Sequence, residues 1–311
     1  MVERKRGDGK STRVEYLMRR VPAEEVSINP VVPELVKKAE RDGVKLVWHR
    51  FLAQQPQCGF GLLGICCRNC NMGPCRIDPF GYGPDRGTCG ATADTIVARN
   101  LLRMIAGGAA AHSDHGREVT IVFKMMAEGK APGYKITDVE KLKAVASRYG
   151  IKVEGRKPEE IARDLADIIL NDFGKQDEEP LKTTEAYAPE VRKRVWTRLG
   201  VMPRSIDREI VEIMHRTHIG VDADPLNLLL QGIRCALGDG FGGSLVATEL
   251  QDILFGTPKP VKSVSNLGVL KEDTVNIIVH GHVPILSEKV VEAATSKKAL
   301  AMARDVGAKG I

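Results

Sequence analysis

Six of the chain's seven cysteines fall between positions 58 and 89, and two of them, Cys66 and Cys67, are adjacent. A hydrophobic core has no need of thiols at that density, so this segment constrains the fold more than any other. The basic N-terminal stretch lacks the apolar core of a signal peptide, and no run approaches the ~18 apolar residues of a membrane helix. A cytoplasmic chain without a membrane span is expected. In that reducing compartment, dense cysteines serve as metal ligands rather than as disulfides.

Cys67, Cys70, Cys75 and Cys89 follow the spacing C-x2-C-x4-C-x13-C. Four thiolates suit either a tetrahedral zinc or a cubane iron–sulfur cluster. Structural zinc sites usually show two C-x2-C pairs, and only one is present. The glycines before Cys75 and around Cys89 would let backbone N–H groups approach sulfides. The reading favours a [4Fe-4S] cluster within the subunit, with zinc as the alternative. Cys58 and Cys66 remain. Neighbouring side chains of an extended segment point to opposite sides, so a Cys67 that faces the first cluster turns Cys66 away from it. Two thiolates are half of a four-cysteine set, and a two-fold axis would supply the other half. A second cluster bridging a homodimer is therefore expected. The alternative is that both are small buried apolar residues, which is the reading for Cys235 in mid-helix.

The pattern along the chain predicts a mainly α protein: an N-terminal helical iron–sulfur domain followed by the beginning of a Rossmann-like α/β domain. Residues 1–30 read as an arm. Residues 31–260 read as the helical domain, with the cluster motif at 58–89, and 261–311 as the start of an α/β middle domain that looks truncated. Residues 91–129 are expected as one long helix or two broken at Gly107-Gly108. A capping box of Thr137 and Glu140 opens the next helix, with Val139, Leu142, Val145 and Tyr149 as its apolar stripe and Gly150 at its stop. Pro158 opens another. Residues 171–185 read as a surface loop. "RSIDREIVEIMHRTH" and "PLNLLLQGIRCALG" read as helices, "GTPKPVKSVSNLG" as a linker, "TVNIIVH" as a buried strand, and 284–307 as one helix.

The formal net charge of +6 and pI near 8.9 fit an acidic protein partner steered by charge. No groove-reading motif accompanies that charge, which argues against nucleic acid. Three histidine pairs stand out. His112 and His115 share one face of a predicted helix, where they could relay protons, ligate metal or hydrogen-bond in a core. His215 and His218 have no supporting context. His280 and His282 end the predicted strand, where ligands of open α/β sheets bind.

The stretches "QQPQC", "GICCRNCNMGPCRI", "GTCGA", "TIVARN", "GAAAHSDHG", "MAEGKAPGY", "DILFGTPKPV" and "VHGHVP" together resemble the catalytic subunit of nickel-dependent, anaerobic carbon monoxide dehydrogenase, in one order from about residue 30 to the end. That resemblance implies that Cys67, Cys70, Cys75 and Cys89 hold a [4Fe-4S] relay cluster. It implies that Cys58 and Cys66 share a cluster with the same pair of a second subunit. His282 would hold the iron of the Ni-Fe-S active site, and His112 and His115 would belong to a proton relay whose next member is Glu118 here. The implied reaction turns CO and water into CO2, two protons and two electrons, which pass to ferredoxin or a similar acidic acceptor. An acetyl-CoA synthase subunit is a further possible partner. The family chain is about twice as long, and no cysteine follows Cys235. The Ni-Fe-S cluster is therefore expected only in a complete chain, with this segment alone inactive. Two alternatives stand beside this reading. One is a short paralogue acting as an electron-transfer or assembly module. The other is a hydroxylamine reductase relative, whose motif lacks the double cysteine.

Overall fold

The computed structural model describes residues 26–260, 262, 271–279, 281 and 284–311. Its spine is a single helix, α4, Ala93–Ala127, which follows α1 (Val31–Arg41), α2 (Val47–Ala53), the short α3 (Gly59–Leu62) and a two-stranded ribbon of β1 (Cys66–Cys67) and β2 (Cys75–Arg76). Thr92 caps α4 by accepting the Thr95 N–H through its side chain, satisfying one of the orphan donors of a helix start. Gly107 and Gly108 lie within α4 and do not break it.

After α4 come α5 (Val139–Arg148), α6 (Pro158–Gly174), α7 (Lys182–Tyr187), α8 (Glu190–Arg198), α9 (Ile206–Arg216) and α10 (Pro225–Gly238). α10 continues without a break through a π-helical segment, Asp239–Leu245, into α11, Val246–Phe255. Thr95 donates to the Ala223 carbonyl near the start of α10, Gly232 faces Leu102, and Gly243 faces Gly116. α4 and the α10–α11 rod therefore lie side by side and run in the same direction.

Two apolar clusters flank this pair. Phe123, Leu142, Ile161, Leu165, Ile169, Leu250 and Ile253 pack the C-terminal half of α4 between α5, α6 and α11. Ala98, Leu102, Ala106 and Ala109 pack its N-terminal half against Ile213, Leu228 and Cys235 of α9 and α10. Among the residues that α4 buries are the small Ala98, Ala106, Ala109, Ser113 and Gly116, which let neighbouring helices come close. Beside it Glu209, fully buried, accepts from Arg204 and Gln231, so that its charge is paired and hydrogen-bonded.

The stretch before the cysteines is helical as expected, in two pieces parted by Gly43 with φ +68°. Several expectations are corrected. The cap of α5 is Asp138, whose side chain accepts from Lys141 N at 2.9 Å, and not a Thr137–Glu140 box. Thr137 instead donates to Leu254 O, because α11 offers it an unpaired carbonyl. Gly150 does end that helix, with φ +76°. Of the stretch 171–185 only 175–181 is a loop, with residues 176–179 exposed; its flanks are helical, since α6 runs to Gly174 and α7 starts at Lys182. Buried Asp172 accepts the Lys182 and Thr183 N–H groups and anchors α7, and Lys175 turns inward onto the Glu179 and Pro180 carbonyls. The run 274–279 forms no ladder. It makes one isolated parallel bridge, Thr274 to Gly310, and Ile278 is exposed, because no further strand among the described residues lies beside it. The helix expected over 284–307 is two, α12 (Pro284–Ala294) and α13 (Lys297–Asp305), since the Ser296 side chain caps Ala299 N. Residues 1–25 of the arm and most of the 256–268 linker lie outside the described residues.

A methyl group at Gly116 would sit 2.8 Å from Gly243 O, whereas one at Gly232 would meet only the ends of the Leu102 and Ile105 side chains. Backbone cannot retreat as a leucine tip can. Gly116→Ala is expected to cost about 1–3 kcal/mol and to lower the melting temperature more than Gly232→Ala does, as thermal denaturation of the two variants would measure.

Candidate metal centre

The ribbon separates the adjacent cysteines. Cys67 pairs with Cys75 and Cys66 with Arg76 in antiparallel register. Cys67 is buried with Ile77, Ala91 and Ile96, while Cys66 is half-buried on the other side. Cys67, Cys70, Cys75 and Cys89 line one small, largely enclosed cavity, together with Gly73, Gly87, Thr88 and Arg99; Cys66 is not part of its lining. Gly73 lets the chain fold tightly there, since an added Cβ would lie 3.1 Å from Cys75 N and 3.2 Å from Cys67 O.

Donors already point at these sulfurs. The Thr88 N–H donates to Cys75 Sγ at 3.4 Å, and Arg99 Nη1 donates to Cys89 Sγ at 3.6 Å. Burial pushes the Cys89 thiol up, but backbone N–H groups of Ala91 and Gly220 and the Arg99 guanidinium outweigh it and hold the thiol below its ordinary range. The two residues that tie this region to α4 are neighbours. Asn100 Nδ2 donates to Gly64 O at 2.8 Å and Cys66 O at 3.0 Å, and Arg99 reaches Cys89 and the Asp222 carbonyl. Arg99 was not foreseen from sequence. Its only signal was an arginine placed among the small and apolar residues of "TIVARN".

Cys58 lies elsewhere, exposed at the N-cap of α3. The Gly61 and Phe60 N–H groups hold its thiol below the usual range. It lines an open groove with Leu62, Leu63, Val97, Leu101 and Met104, an apolar face of this chain. The sequence pairs Cys58 with Cys66, and within one chain the two do not share a cavity. Cys235 is buried, and burial foremost, followed by Glu209 and Asp239, pushes its thiol up to about 12.

His112 and His115 both turn toward the π–α11 segment. His112 Nδ1 lies 2.9 Å from Asp239 Oδ1, and Gln251 Nε2 donates to His115 Nε2 at 3.2 Å. His115 is half-buried, but the His112 side chain is 59% exposed in the isolated chain. Neither Asp239 nor Gln251 was legible as a partner, because both contacts cross more than 120 residues of sequence. Glu118 is exposed. His215 and His218 are exposed at the end of α9. His280 and His282 lie outside the described residues. Among the described residues no three His, Cys, Asp or Glu side chains gather closely enough to hold a single metal ion, and no helix is long and apolar enough to cross a membrane.

Comparison with known proteins defines the class. The profile of the Prismane/CO dehydrogenase family matches residues 65–311. The chain belongs to that family. It is 59% identical over 287 residues to carbon monoxide dehydrogenase 1 of Methanosarcina mazei, covering 92% of this chain and 45% of that protein. It is 46% identical over 289 residues to the carbon monoxide dehydrogenase/acetyl-CoA synthase subunit beta of Moorella thermoacetica, covering 92% of this chain and 42% of that one. The solved Ni-free carbon monoxide dehydrogenase of Thermococcus sp. AM4 superposes with TM-score 0.87 at 62% identity, over 95% of this chain and 47% of that chain. The chain thus spans about half the length of the relatives it matches.

The thiols should differ sharply in reactivity. With its thiol near 12, Cys235 carries only about one thiolate in ten thousand at pH 8, while exposed Cys58 is activated. In the metal-free chain, iodoacetamide is expected to label Cys58 first and Cys235 last, at rates at least ~100-fold apart, as read by peptide mass spectrometry over time.

Proposed function

We propose that this chain supplies the helical, electron-carrying part of an anaerobic carbon monoxide dehydrogenase, which oxidises CO with water to CO2, two protons and two electrons. The observation that carries the reading is the four-cysteine cavity under the start of α4, in a chain whose relatives bear that name. Cys67, Cys70, Cys75 and Cys89 would hold a [4Fe-4S] cluster. Their arrangement supports a cubane over zinc. The motif has one C-x2-C pair where structural zinc sites usually have two, and Gly73 and Gly87 line the same cavity as the four thiols, where backbone N–H groups can approach sulfides. Thr88 N–H and the Arg99 guanidinium already point at two of the sulfurs, as the hydrogen-bond donors that orient and tune metal ligands do.

Cys58 and Cys66 would hold a second [4Fe-4S] cluster across a homodimer. The support is their separation from the first cavity and the exposed apolar groove beside Cys58. His282 would bind the iron of a Ni-Fe-S group, as the resemblance implies, with its remaining ligands from chain matched by the other half of the relatives. When bound, the Ni-Fe-S group supplies the CO chemistry and the [4Fe-4S] groups supply one-electron transfer. The chain's own residues carry the rest. His112, held at Nδ1 by Asp239, and His115, held at Nε2 by Gln251, would take up and pass protons along α4. Residues 271–311, with their parallel Thr274–Gly310 bridge, would form the opening unit of an α/β domain. A cytoplasmic setting, a ferredoxin-like acidic acceptor for a chain of net charge +6 and an acetyl-CoA synthase partner complete the reading.

Anaerobically prepared protein should contain iron and acid-labile sulfide in equal amounts. Stoichiometric zinc without iron would overturn the cluster assignment. Replacing Cys58 and Cys66 together by Ser is expected to remove one cluster per dimer and leave the other cluster's spectrum unchanged; undiminished iron would refute the bridging role.

A further inference from the structure

Arg99 is 2% exposed and is one of the largest side chains in the interior. Its Nη1 donates to Cys89 Sγ, and its Nη2 to the Asp222 carbonyl. Its Nε is buried without a partner. Among the described residues no carboxylate forms an ion pair with it, although Arg117, Arg204, Arg208, Arg216 and Arg234 all have one. A guanidinium keeps its positive charge when buried. An unpaired buried charge is strongly unfavourable. The negative charge that balances Arg99 must therefore come from the cavity it lines, whose other walls include the four thiols.

We propose that Arg99 is the counter-charge of the cluster held by Cys67, Cys70, Cys75 and Cys89, and that it sets that cluster's reduction potential. This inference rests on the cluster reading given under Proposed function. Four thiolates around a [4Fe-4S] core in its oxidised, 2+ state leave the assembly at −2, and one-electron reduction takes it to −3. A fixed cation in contact with one ligand sulfur, inside a site screened from water, favours the more negative state and raises the potential. The single hydrogen bond to Cys89 acts in the same direction. Arg99 touches a ligand and not the reacting centre, so it is a positioning and tuning residue. The Asp222 carbonyl holds the guanidinium in place, which couples the tuning to the 219–223 turn before α10.

The test uses the full 311-residue chain, purified or reconstituted anaerobically, as wild type, Arg99→Gln and Arg99→Lys. Iron is counted, and the midpoint potential of the cluster is titrated by low-temperature EPR. The relevant signal is the one that survives in Cys58→Ser/Cys66→Ser protein. Arg99→Gln keeps a polar side chain and removes the charge. It is expected to disfavour reduction at least tenfold, which for a one-electron couple is a downward shift of about 59 mV or more. Arg99→Lys restores the charge and should stay within about threefold of wild type. Iron retained by the Lys variant and lost from the Gln variant also supports the counter-charge role. Loss of iron from both variants, or a Gln variant within threefold of wild type, overturns it. A wild-type chain that takes up no iron and sulfide would instead refute the cluster reading itself.

Discussion

The approach of two backbones at Gly116 and Gly243 is the constraint around which the rest of the domain is arranged. No side chain separates α4 from the π-helical segment there, so two helices that run in the same direction lie almost in backbone contact. The π-helical widening is what lets α10 and α11 continue as one rod while the glycines of "GFGG" close on α4. Segments of this kind inside α-helices recur at functional sites, since the extra residue in the turn re-aims the side chains beyond it. Here the consequence is chemical. Asp239 at the start of the widening and Gln251 beyond it reach His112 and His115.

The N-terminal end of α4 does a different task with equally few residues. Arg99 and Asn100 are consecutive, so they leave the helix in different directions. Asn100 holds the strand that carries Cys66, and Arg99 holds the Cys89 segment and the turn before α10. The cysteine-bearing loops have little core of their own, with only Cys67, Ile77, Ala91 and Ile96 buried together. Their geometry therefore depends on polar contacts to a helix that is itself rigidly packed. A metal site needs such support, since ligands on loops keep their positions only when a packed scaffold fixes them.

Much of the helical pattern was legible because it obeys short-range rules. Pro158 and Pro225 sit at first-turn positions, Gly150 at a stop, and Leu142 and Val145 are buried as their spacing requires. Sequence reasoning failed where a distant partner displaced a local one. Thr137 looked like a cap, yet a carbonyl of α11 claims its hydroxyl. The loop read over 171–185 is confined to 175–181, because the buried Asp172 carboxylate holds the Lys182 and Thr183 amides and starts α7 there. The helix read over "PLNLLLQGIRCALG" ends at Gly238 in sequence, yet in the fold it continues through Asp239–Leu245 into α11, with Gly243 packed on α4.

For the candidate site the division obeys the same physics. The spacing of Cys67, Cys70, Cys75 and Cys89, and the adjacency of Cys66 and Cys67, are covalent facts. By themselves they allow one four-thiol set and turn Cys66 away from the side that Cys67 faces, because neighbouring side chains of an extended strand diverge. The partners of the histidines and the charge facing the thiols were decided only in the fold. Asp239 and Gln251 come to α4 from more than 120 residues away. Arg99 looks in sequence like any helix arginine until packing strips away its water and leaves it facing sulfur, and that burial exists only once α4, the cysteine loops and the turn before α10 have closed around it.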